Sequence, residues 1–120
     1  MSGSDLKQRT SRFALEVIRL TETLPRGRIA DVLGGQLLRC GTSVGANYRA
    51  ACRARSPADF ISKMGIVEEE ADESIYWMEL LAESGIIALG KLQPLMKEAD
   101  ELCAITVSSI KSARSHHSGK

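Results

Sequence analysis

FISKMGIVEEEADESIYWMELL, residues 60–81, places five carboxylates within six positions: Glu68, Glu69, Glu70, Asp72 and Glu73. Three kinds of structure contain such a cluster: a metal site, an acid–base pair for catalysis, or the hydrated side of a helix. The apolar residues between the acids decide which of these the chain forms, because they show which way each acid projects.

The acids project in two directions when the residues are placed on a helix at about 100° per residue. One apolar stripe is the expected core face, and it contains Phe60, Met64, Val67, Ala71, Ile75, Met78 and Ala82. A neighbouring stripe looks hydrated, and it contains Glu68, Asp72, Glu79 and Glu83. Glu70 and Glu73 project on the opposite side, among Ile66, Trp77, Leu80 and Leu81. The sequence therefore predicts a helix with two apolar faces.

A second apolar face needs a partner from outside the bundle, because a four-helix bundle has only one core. Self-association is the simplest explanation, and it predicts a subunit interface that contains Ile66, Glu70, Glu73, Trp77 and Leu80. An unpaired buried charge is costly, so the two glutamates would need arginine or hydrogen-bond partners there. The alternative is a helix that merely exposes a few hydrophobic side chains.

Helix start and stop signals divide the chain into four helices. We predict helices over residues 5–24, 29–55 and 56–84, with a fourth over 93–113. The third helix opens with Ser56-Pro57 and an acid at Asp59, and it stops at Gly85. Short turns between helices are typical of an antiparallel up-down-up-down bundle. The sequence thus predicts an all-α domain over residues 1–115 and a disordered polar tail over 116–120.

Composition limits the class of protein. At 43% hydrophobic residues, the 120-residue chain suits one globular domain. It contains no apolar stretch of about 18 residues and no apolar signal region near its start, so we expect a cytoplasmic protein with no membrane partner. Cys40, Cys52 and Cys103 show no C-x-x-C spacing and are expected to be reduced core thiols.

The residues for metal or acid–base chemistry are incomplete. Di-iron bundles combine inward glutamates with Glu-x-x-His motifs, and a catalytic cysteine needs a nearby histidine. Both histidines, His116 and His117, fall in the predicted tail. We therefore expect no catalytic residues, no metal ligands, no cofactor and no enzyme activity. A hard-cation site built from carboxylates alone is the alternative that the residues leave open.

Charge is polarised along the sequence. Residues 1–58 carry ten basic and four acidic side chains, a net charge of +6, whereas residues 59–120 have a net charge of −5. Nine of the ten basic residues in the first half are arginines, which bind carboxylates and phosphates in a bidentate manner. We therefore expect an anionic partner for this half.

Six of these arginines form two groups, each on one side of a predicted helix: Arg12, Arg19 and Arg26 on the first, and Arg39, Arg49 and Arg53 on the second. Repeated around an oligomer, they would form a basic belt for RNA phosphates. Only Tyr48 lies near them, so little base specificity is expected. The alternative is exposed solubilising charge, or pairing with Glu68, Asp72 and Glu79.

Polar and small residues interrupt the apolar stripe of the second helix, which contains Ile29, Leu33, Cys40, Val44 and Ala51. We expect Gln36, Ser43 and Asn47 to form a hydrogen-bonded polar core layer that fixes helix register, with a ligand site as the alternative. The glycines at positions 34, 35, 41 and 45 are expected to permit close backbone approach.

Residues 36–87 resemble the four-helix-bundle family of 23S rRNA intervening-sequence proteins. The pattern joins a T-S-x-G-A-N helix to an E-A-x-E-[ST]-x-Y-W-x-x-L-L helix. The matching positions here are Arg39, Ser43, Gly45, Asn47, Phe60, Glu70, Glu73, Tyr76, Trp77 and Leu81.

The resemblance implies a bacterial cytoplasmic protein without catalysis, in a family whose members assemble as homopentamers. Some members are encoded inside inserts of 23S rRNA genes, and a related accessory protein of diversity-generating retroelements binds nucleic acid and a reverse transcriptase. We therefore expect a homo-oligomeric scaffold or accessory protein that binds RNA or a ribonucleoprotein. The alternative is a pure protein–protein interaction module without nucleic-acid binding.

Overall fold

Four helices build the part of the chain that the computed structural model describes, residues 3–118, with side chains described for residues 5–116. They are α1 (Gly3–Glu22), α2 (Arg28–Cys52), α3 (Pro57–Glu83) and α4 (Leu89–Ser118). Consecutive helices pack side by side in an elongated bundle of 54 × 21 × 20 Å. The predicted all-α, antiparallel up-down-up-down four-helix bundle is confirmed.

The start of α3 follows from its local sequence. The Ser56 hydroxyl accepts a hydrogen bond from the backbone N–H of Asp59 at 3.0 Å, and Pro57 occupies the first helical position. The Asp59 carboxylate accepts from the backbone N–H of Arg55 at 3.2 Å and from the Lys63 ammonium at 2.7 Å. The predicted cap is confirmed, although the acid reaches one residue further back than in a capping box.

The end of α3 is also determined by its local sequence. Gly85 adopts a φ of 78°, a left-handed conformation that suits glycine because it has no Cβ. The N–H of Gly85 bonds to the carbonyl of Ala82 at 3.0 Å, and that of Ile86 bonds to the carbonyl of Leu81 at 3.1 Å. This pair of bonds is a Schellman motif, so the predicted stop at Gly85 is confirmed.

The outer helices differ from their predicted bounds. α1 ends at Glu22, so Arg26 lies in the following turn and does not continue the α1 arginine stripe. α4 begins four residues earlier than predicted and includes Pro94, whose missing N–H leaves one helical carbonyl without its usual donor. α4 also continues through Ser118, because hydrated polar side chains do not stop a helix. The predicted tail is therefore helical over residues 116–118, and residues 119–120 lie outside the described residues.

The core is a cluster of apolar side chains from all four helices. Its largest fully buried members are Phe13, Leu37, Met64, Met78, Leu81, Leu92 and Leu102. The predicted core stripe of α3 is correct, with Phe60, Ile75 and Ala82 packed at its edges. Leu81 was expected on the second apolar face, but it lies at the boundary of the two faces and is fully buried.

The core stripe of α2 is rotated towards α1 relative to the prediction. Ile29 is exposed, whereas Leu37 and Tyr48 are buried. The cause is close packing on glycine: a Cβ at Gly34 would lie 2.7 Å from Leu24 Cδ1, and one at Gly41 would lie 2.8 Å from Val17 Cγ2. The predicted close approach is therefore confirmed at both glycines.

Two further glycines of α2 behave differently from each other. A Cβ at Gly45 would lie 3.3 Å from the Thr10 hydroxyl oxygen, so this glycine also faces α1. A Cβ at Gly35 would meet nothing within 4 Å, so the prediction of close approach there is wrong. Gly35 lies on the exposed side of the helix, which the sequence alone does not distinguish.

The predicted polar core layer is wrong. Gln36, Ser43 and Asn47 are only half-buried, because the rotation of α2 moves them out of the core. Asn47 Nδ2 donates to the Ser43 carbonyl in its own helix at 2.9 Å. The buried hydroxyls instead belong to Thr10, Ser74 and Thr106, which each donate to a carbonyl four residues earlier in the same helix.

Gly41→Ala tests the close packing of α1 on α2. The added methyl group would overlap Val17, so we expect unfolding free energy to fall by about 1 to 3 kcal/mol despite the better helix propensity of alanine. Gly35→Ala is the matched control in the same helix, and it should stabilise the protein by up to about 1 kcal/mol because its methyl group meets nothing. Urea unfolding of both variants measures the difference. Equal effects of the two substitutions would contradict the packing described.

Candidate functional site

The outer surface between α2 and α3 collects most of the exposed large apolar residues. We define this α2–α3 face by the residues Ile29, Val32, Arg39, Ile66, Glu70, Glu73, Tyr76, Trp77 and Leu80. Its four exposed apolar side chains, Ile29, Val32, Ile66 and Tyr76, are between 39% and 58% exposed. Trp77 and Leu80 are half-buried beside them. The second apolar face that the sequence predicted is present on the described chain, and its role as a subunit interface stays a prediction.

An ion cluster lies within the α2–α3 face. The Arg39 guanidinium donates to both carboxylate oxygens of Glu70 at 3.3 and 3.4 Å, and to Glu73 Oε1 at 3.4 Å. Arg39 is on α2 and the glutamates are on α3, and the antiparallel packing of these neighbours brings them to the same level. The cluster therefore links two helices across the surface of the bundle.

The Glu70 side chain is 14% exposed, whereas the Arg39 side chain is 51% exposed. Glu70 thus has the arginine partner that a nearly buried carboxylate requires, but the partner belongs to the same chain. Arg39 was predicted to join the RNA-binding belt. Its bonds to both glutamates neutralise it in place, so the structure removes it from the free arginines.

Cys40 lies directly behind the cluster and is fully buried. Its sulfur accepts a hydrogen bond from Arg39 Nη2 at 3.0 Å and lies 3.9 Å from Glu73 Oε1. Burial raises the pKa of the Cys40 thiol to about 11, although Arg39 opposes this shift, while Glu73 and Glu70 add to it. The thiol is therefore protonated at neutral pH, and it is a poor nucleophile there.

The sulfur of Cys40 and one oxygen each of Glu70 and Glu73 lie within 4.8 Å of one another, which is close enough for a shared metal ion. The Arg39 guanidinium, however, contacts all three groups, and its positive charge repels a dication. Metal binding would also require loss of the thiol proton. The arrangement fits an ion-pair network better than a metal centre, and the absence of metal ligands and of enzyme activity stays a prediction.

Trp77 anchors the apolar part of the face. Its ring meets the ring of Tyr76 edge-on, with the centroids 5.0 Å apart, and it packs against the core cluster. Its Nε1 is buried, and among the described residues it finds no hydrogen-bond acceptor. Packing rather than hydrogen bonding therefore fixes the indole.

The remaining arginines of the predicted belt are exposed. Within residues 5–116, no ion pair holds Arg12, Arg19, Arg49 or Arg53. The proposed pairing with Glu68, Asp72 and Glu79 does not occur inside the chain. Tyr48, expected near these arginines, is buried in the core, so it is not available for base stacking.

Sequence reasoning missed an ion cluster between α1 and α4. Arg9 donates to the two carboxylate oxygens of Glu98 at 2.7 and 2.8 Å, and to Glu101 at 2.6 Å. The hydrogen bonds to Glu98 raise the pKa of Arg9 further above its ordinary value. The sequence signal for this cluster is that Glu98 and Glu101 lie three residues apart and so share one side of a helix. This spacing does not identify Arg9 as their partner.

The three cysteines differ from the prediction of uniform core thiols. Cys40 is buried and Cys103 is half-buried, but Cys52 is exposed at the end of α2. Cys52 and His116 line one groove at the end of the bundle. Burial, together with Asp72, raises the pKa of Cys103 to about 11.

An acidic groove runs between α3 and α4. It is lined by Gly65, Glu68, Glu69, Asp72 and Cys103. Two of its acids, Glu68 and Asp72, belong to the hydrated stripe that the periodicity of α3 predicted. Apart from Arg114 on α4, the exposed arginines lie on α1, on α2 or in the turns beside them. The charge polarity of the sequence therefore becomes a polarity between two sides of the bundle.

These features define an antiparallel four-helix-bundle protein with one complete core and one exposed apolar face. A family model described as 23S rRNA-intervening sequence protein matches residues 3–108. The chain therefore belongs to this family. No helix among residues 3–118 has the length and apolar character needed to span a membrane.

A solved structure supports the same assignment. It is the crystal structure, at 1.70 Å resolution, of a protein with unknown function from the S23 ribosomal protein family of Bacteroides thetaiotaomicron VPI-5482. The sequence of that protein is 35% identical to this chain. The match has a TM-score of 0.86 and covers 92% of this chain and 99% of that chain. No curated protein matches the sequence.

Thiol labelling tests the assignment of the cysteines. At pH 8 we expect rapid alkylation of exposed Cys52 and slow alkylation of Cys40 and Cys103, whose raised pKa values of about 11 keep them protonated. Mass spectrometry after digestion measures each site, and Cys52→Ser removes the fast signal. Fast labelling of Cys40 in folded protein would contradict the burial of its thiol behind the ion cluster.

Proposed function

We propose that this chain is a non-enzymatic, homo-oligomeric scaffold or accessory protein of the cytoplasm that associates with RNA or a ribonucleoprotein. The observation that carries the proposal is the α2–α3 face, where large apolar side chains remain exposed although the bundle core is complete. Burial of apolar area contributes about 25 cal/mol per Å² to the gross driving force for association, part of which offsets the lost freedom of the two molecules. A second copy of the chain is the partner that is always available to cover this face.

The ion cluster makes the α2–α3 face suitable for burial. Glu70, the least exposed charge on the face, is already bonded to Arg39, so covering it leaves no unpaired carboxylate. The centre of a subunit contact is typically apolar and depleted of charge, so the pairing of Glu70 with Arg39 lowers the cost of burying this face. We propose that five subunits assemble, and this number rests on the family resemblance.

Exposed arginines at the end of α2 support the RNA part of the proposal. Arg49 and Arg53 lie four residues apart, are exposed, and form no ion pair within residues 5–116. Repetition around an oligomer multiplies weak phosphate contacts into useful affinity. The proposal includes the expected kinship with the nucleic-acid-binding accessory protein of diversity-generating retroelements. Because Tyr48 is buried, recognition of phosphates rather than bases is expected.

A second candidate function is a protein–protein interaction module without nucleic-acid binding. The observation that favours it is the opposite charge of the two sides of the bundle. The arginines of α1 and α2 in one copy would then pair with the acids of the α3–α4 groove in another. Salt-dependent RNA binding separates the two functions.

Light scattering tests the self-association. We expect wild-type protein to have a mass several times the 13.0 kDa of one chain, and Ile66→Glu to reduce it, because the charge would be buried in the contact. Leu89→Glu is the matched control: Leu89 is 49% exposed, lies at the start of α4 and is not part of the α2–α3 face. Circular dichroism confirms that both variants fold. A monomeric wild type would exclude the proposed assembly.

RNA binding is tested by salt titration with a structured RNA hairpin. Affinity should fall steeply with salt, and Arg49→Ala with Arg53→Ala should flatten the slope of log K against log salt by about one unit per lost phosphate contact. Lys97→Ala with Lys111→Ala removes the same charge from exposed positions on α4 and should leave the slope nearly unchanged. Failure of the oligomer to retain RNA at about 50 mM salt would favour the interaction-module function.

A further inference from the structure

The outer side of α1 carries a stripe of regular composition. Its members, Gln8, Arg12, Leu15, Arg19 and Glu22, are all exposed. They are separated by alternating steps of four and three residues, which keeps them on one side of a helix. Leu15, at the centre, is 50% exposed and is flanked by the two arginines. We refer to these five residues as the α1 stripe.

A second stripe with the same spacing runs along the outside of α3. It consists of Ile66, Glu69, Glu73, Tyr76 and Leu80. All five except the half-buried Leu80 are exposed. Two glutamates lie at its centre, between an apolar residue at one end and two at the other. We refer to these residues as the α3 stripe, and three of them belong to the predicted subunit interface.

The two stripes are opposite in charge and share one step pattern. Alternating steps of three and four residues are the periodicity with which two helices pack along a coiled-coil seam. The α1 stripe offers two arginines around a leucine, and the α3 stripe offers two glutamates between apolar residues. Within residues 5–116, Arg12, Arg19 and Glu69 form no ion pair.

Glu73 retains capacity for a second partner. Its bond to Arg39 is long, at 3.4 Å, and its side chain is 49% exposed. A carboxylate accepts several hydrogen bonds, so an arginine from another molecule can bind the same group. An interchain arginine would extend the existing ion cluster instead of replacing it.

We infer that the α1 stripe of one copy docks against the α3 stripe of a second copy. This inference rests on the proposed self-association and specifies its geometry. Pairing either stripe with itself would place like charges together, whereas pairing the two different stripes places arginines against glutamates. The contact is therefore heterologous, and its repetition gives a closed ring or an open filament.

The docking divides the exposed arginines by role. Arg12 and Arg19 flank an exposed leucine and belong to the contact between subunits. Arg49 and Arg53 have no large exposed apolar neighbour within one helical turn on α2, and they remain for the anionic partner. The predicted belt is thus reduced from two helices to one.

Charge reversal tests the docking by light scattering. The double variants Arg12→Glu/Arg19→Glu and Glu69→Arg/Glu73→Arg each set like charges against each other, so each should lower the mass towards 13.0 kDa. Combining all four substitutions in one chain restores opposite charges and should restore the wild-type mass. A 1:1 mixture of the two double variants should also associate, because every contact between unlike chains is again complementary. An alternating ring needs an even number of subunits, so the mixture should form other species than a closed pentamer.

Three controls keep the outcomes separate. Glu73→Gln removes one negative charge from the α3 stripe without reversing it, so it should lower the mass less than the reversal does. Lys97→Glu/Lys111→Glu reverses two exposed charges on α4 and should not change the mass. Circular dichroism identifies folded variants, and Arg19→Glu and Glu69→Arg singly replace any double variant that does not fold.

An oligomeric wild type whose mass is unaffected by the reversals would overturn the pairing of these stripes and leave self-association standing. Folded double variants that dissociate but are rescued neither in one chain nor by mixing would also overturn it. A wild type that is itself monomeric would instead refute the proposed assembly. The three results are distinct, so the inference and the function on which it rests fail separately.

Discussion

A four-helix bundle buries one face of each helix, and α3 carries apolar residues on two. This second apolar face of α3 is the constraint on which the arrangement of the bundle surface depends. The inner face, with Met64 and Met78, completes the core together with the other three helices. The outer face leaves Ile66 and Tyr76 in solvent, and residues 3–118 contain no fifth helix to cover them. The proposed function begins from this imbalance, because an intermolecular partner is what we propose covers the outer face.

The ion cluster of Arg39, Glu70 and Glu73 shows how charge is accommodated on such a face. A carboxylate as enclosed as Glu70 would oppose further burial if it were unpaired. The arginine from α2 removes that cost before any partner arrives. Its long bonds, at 3.3 to 3.4 Å, contribute more to tolerance of burial than to the stability of the single chain. The same bonds make the cluster a poor site for a cation, so the acids that first suggested metal chemistry have a structural explanation.

Local signals predicted much of the fold, and non-local packing accounts for the errors. The cap at Ser56 and the stop at Gly85 depend on neighbouring residues only, so the sequence predicted both correctly. The rotation of α2 depends on how closely α1 approaches its glycines, and no property of α2 alone reports that distance. Ile29 was therefore expected in the core and is exposed, and Tyr48 is buried instead. The same distinction between local and non-local information applies to the site. Periodicity within α3 identifies its outer apolar residues, but pairing Glu70 with Arg39 requires the relative position of α2 and α3.

Net charge is a weak guide to the partners of this protein because its arginines occupy different environments. Arg9 and Arg39 are bonded to carboxylates within the chain, across the α1–α4 and α2–α3 contacts. These two residues help to align helices and add little to the field that an RNA would meet. The proposed assembly divides the arginines that remain in solvent by their neighbours. In it, those beside exposed apolar residues contact protein, and those without such neighbours are left for phosphates. Packing of the helices thus distributes the arginines of the basic half over separate surfaces. The surface on which an arginine lies therefore indicates its partner better than the number of arginines does.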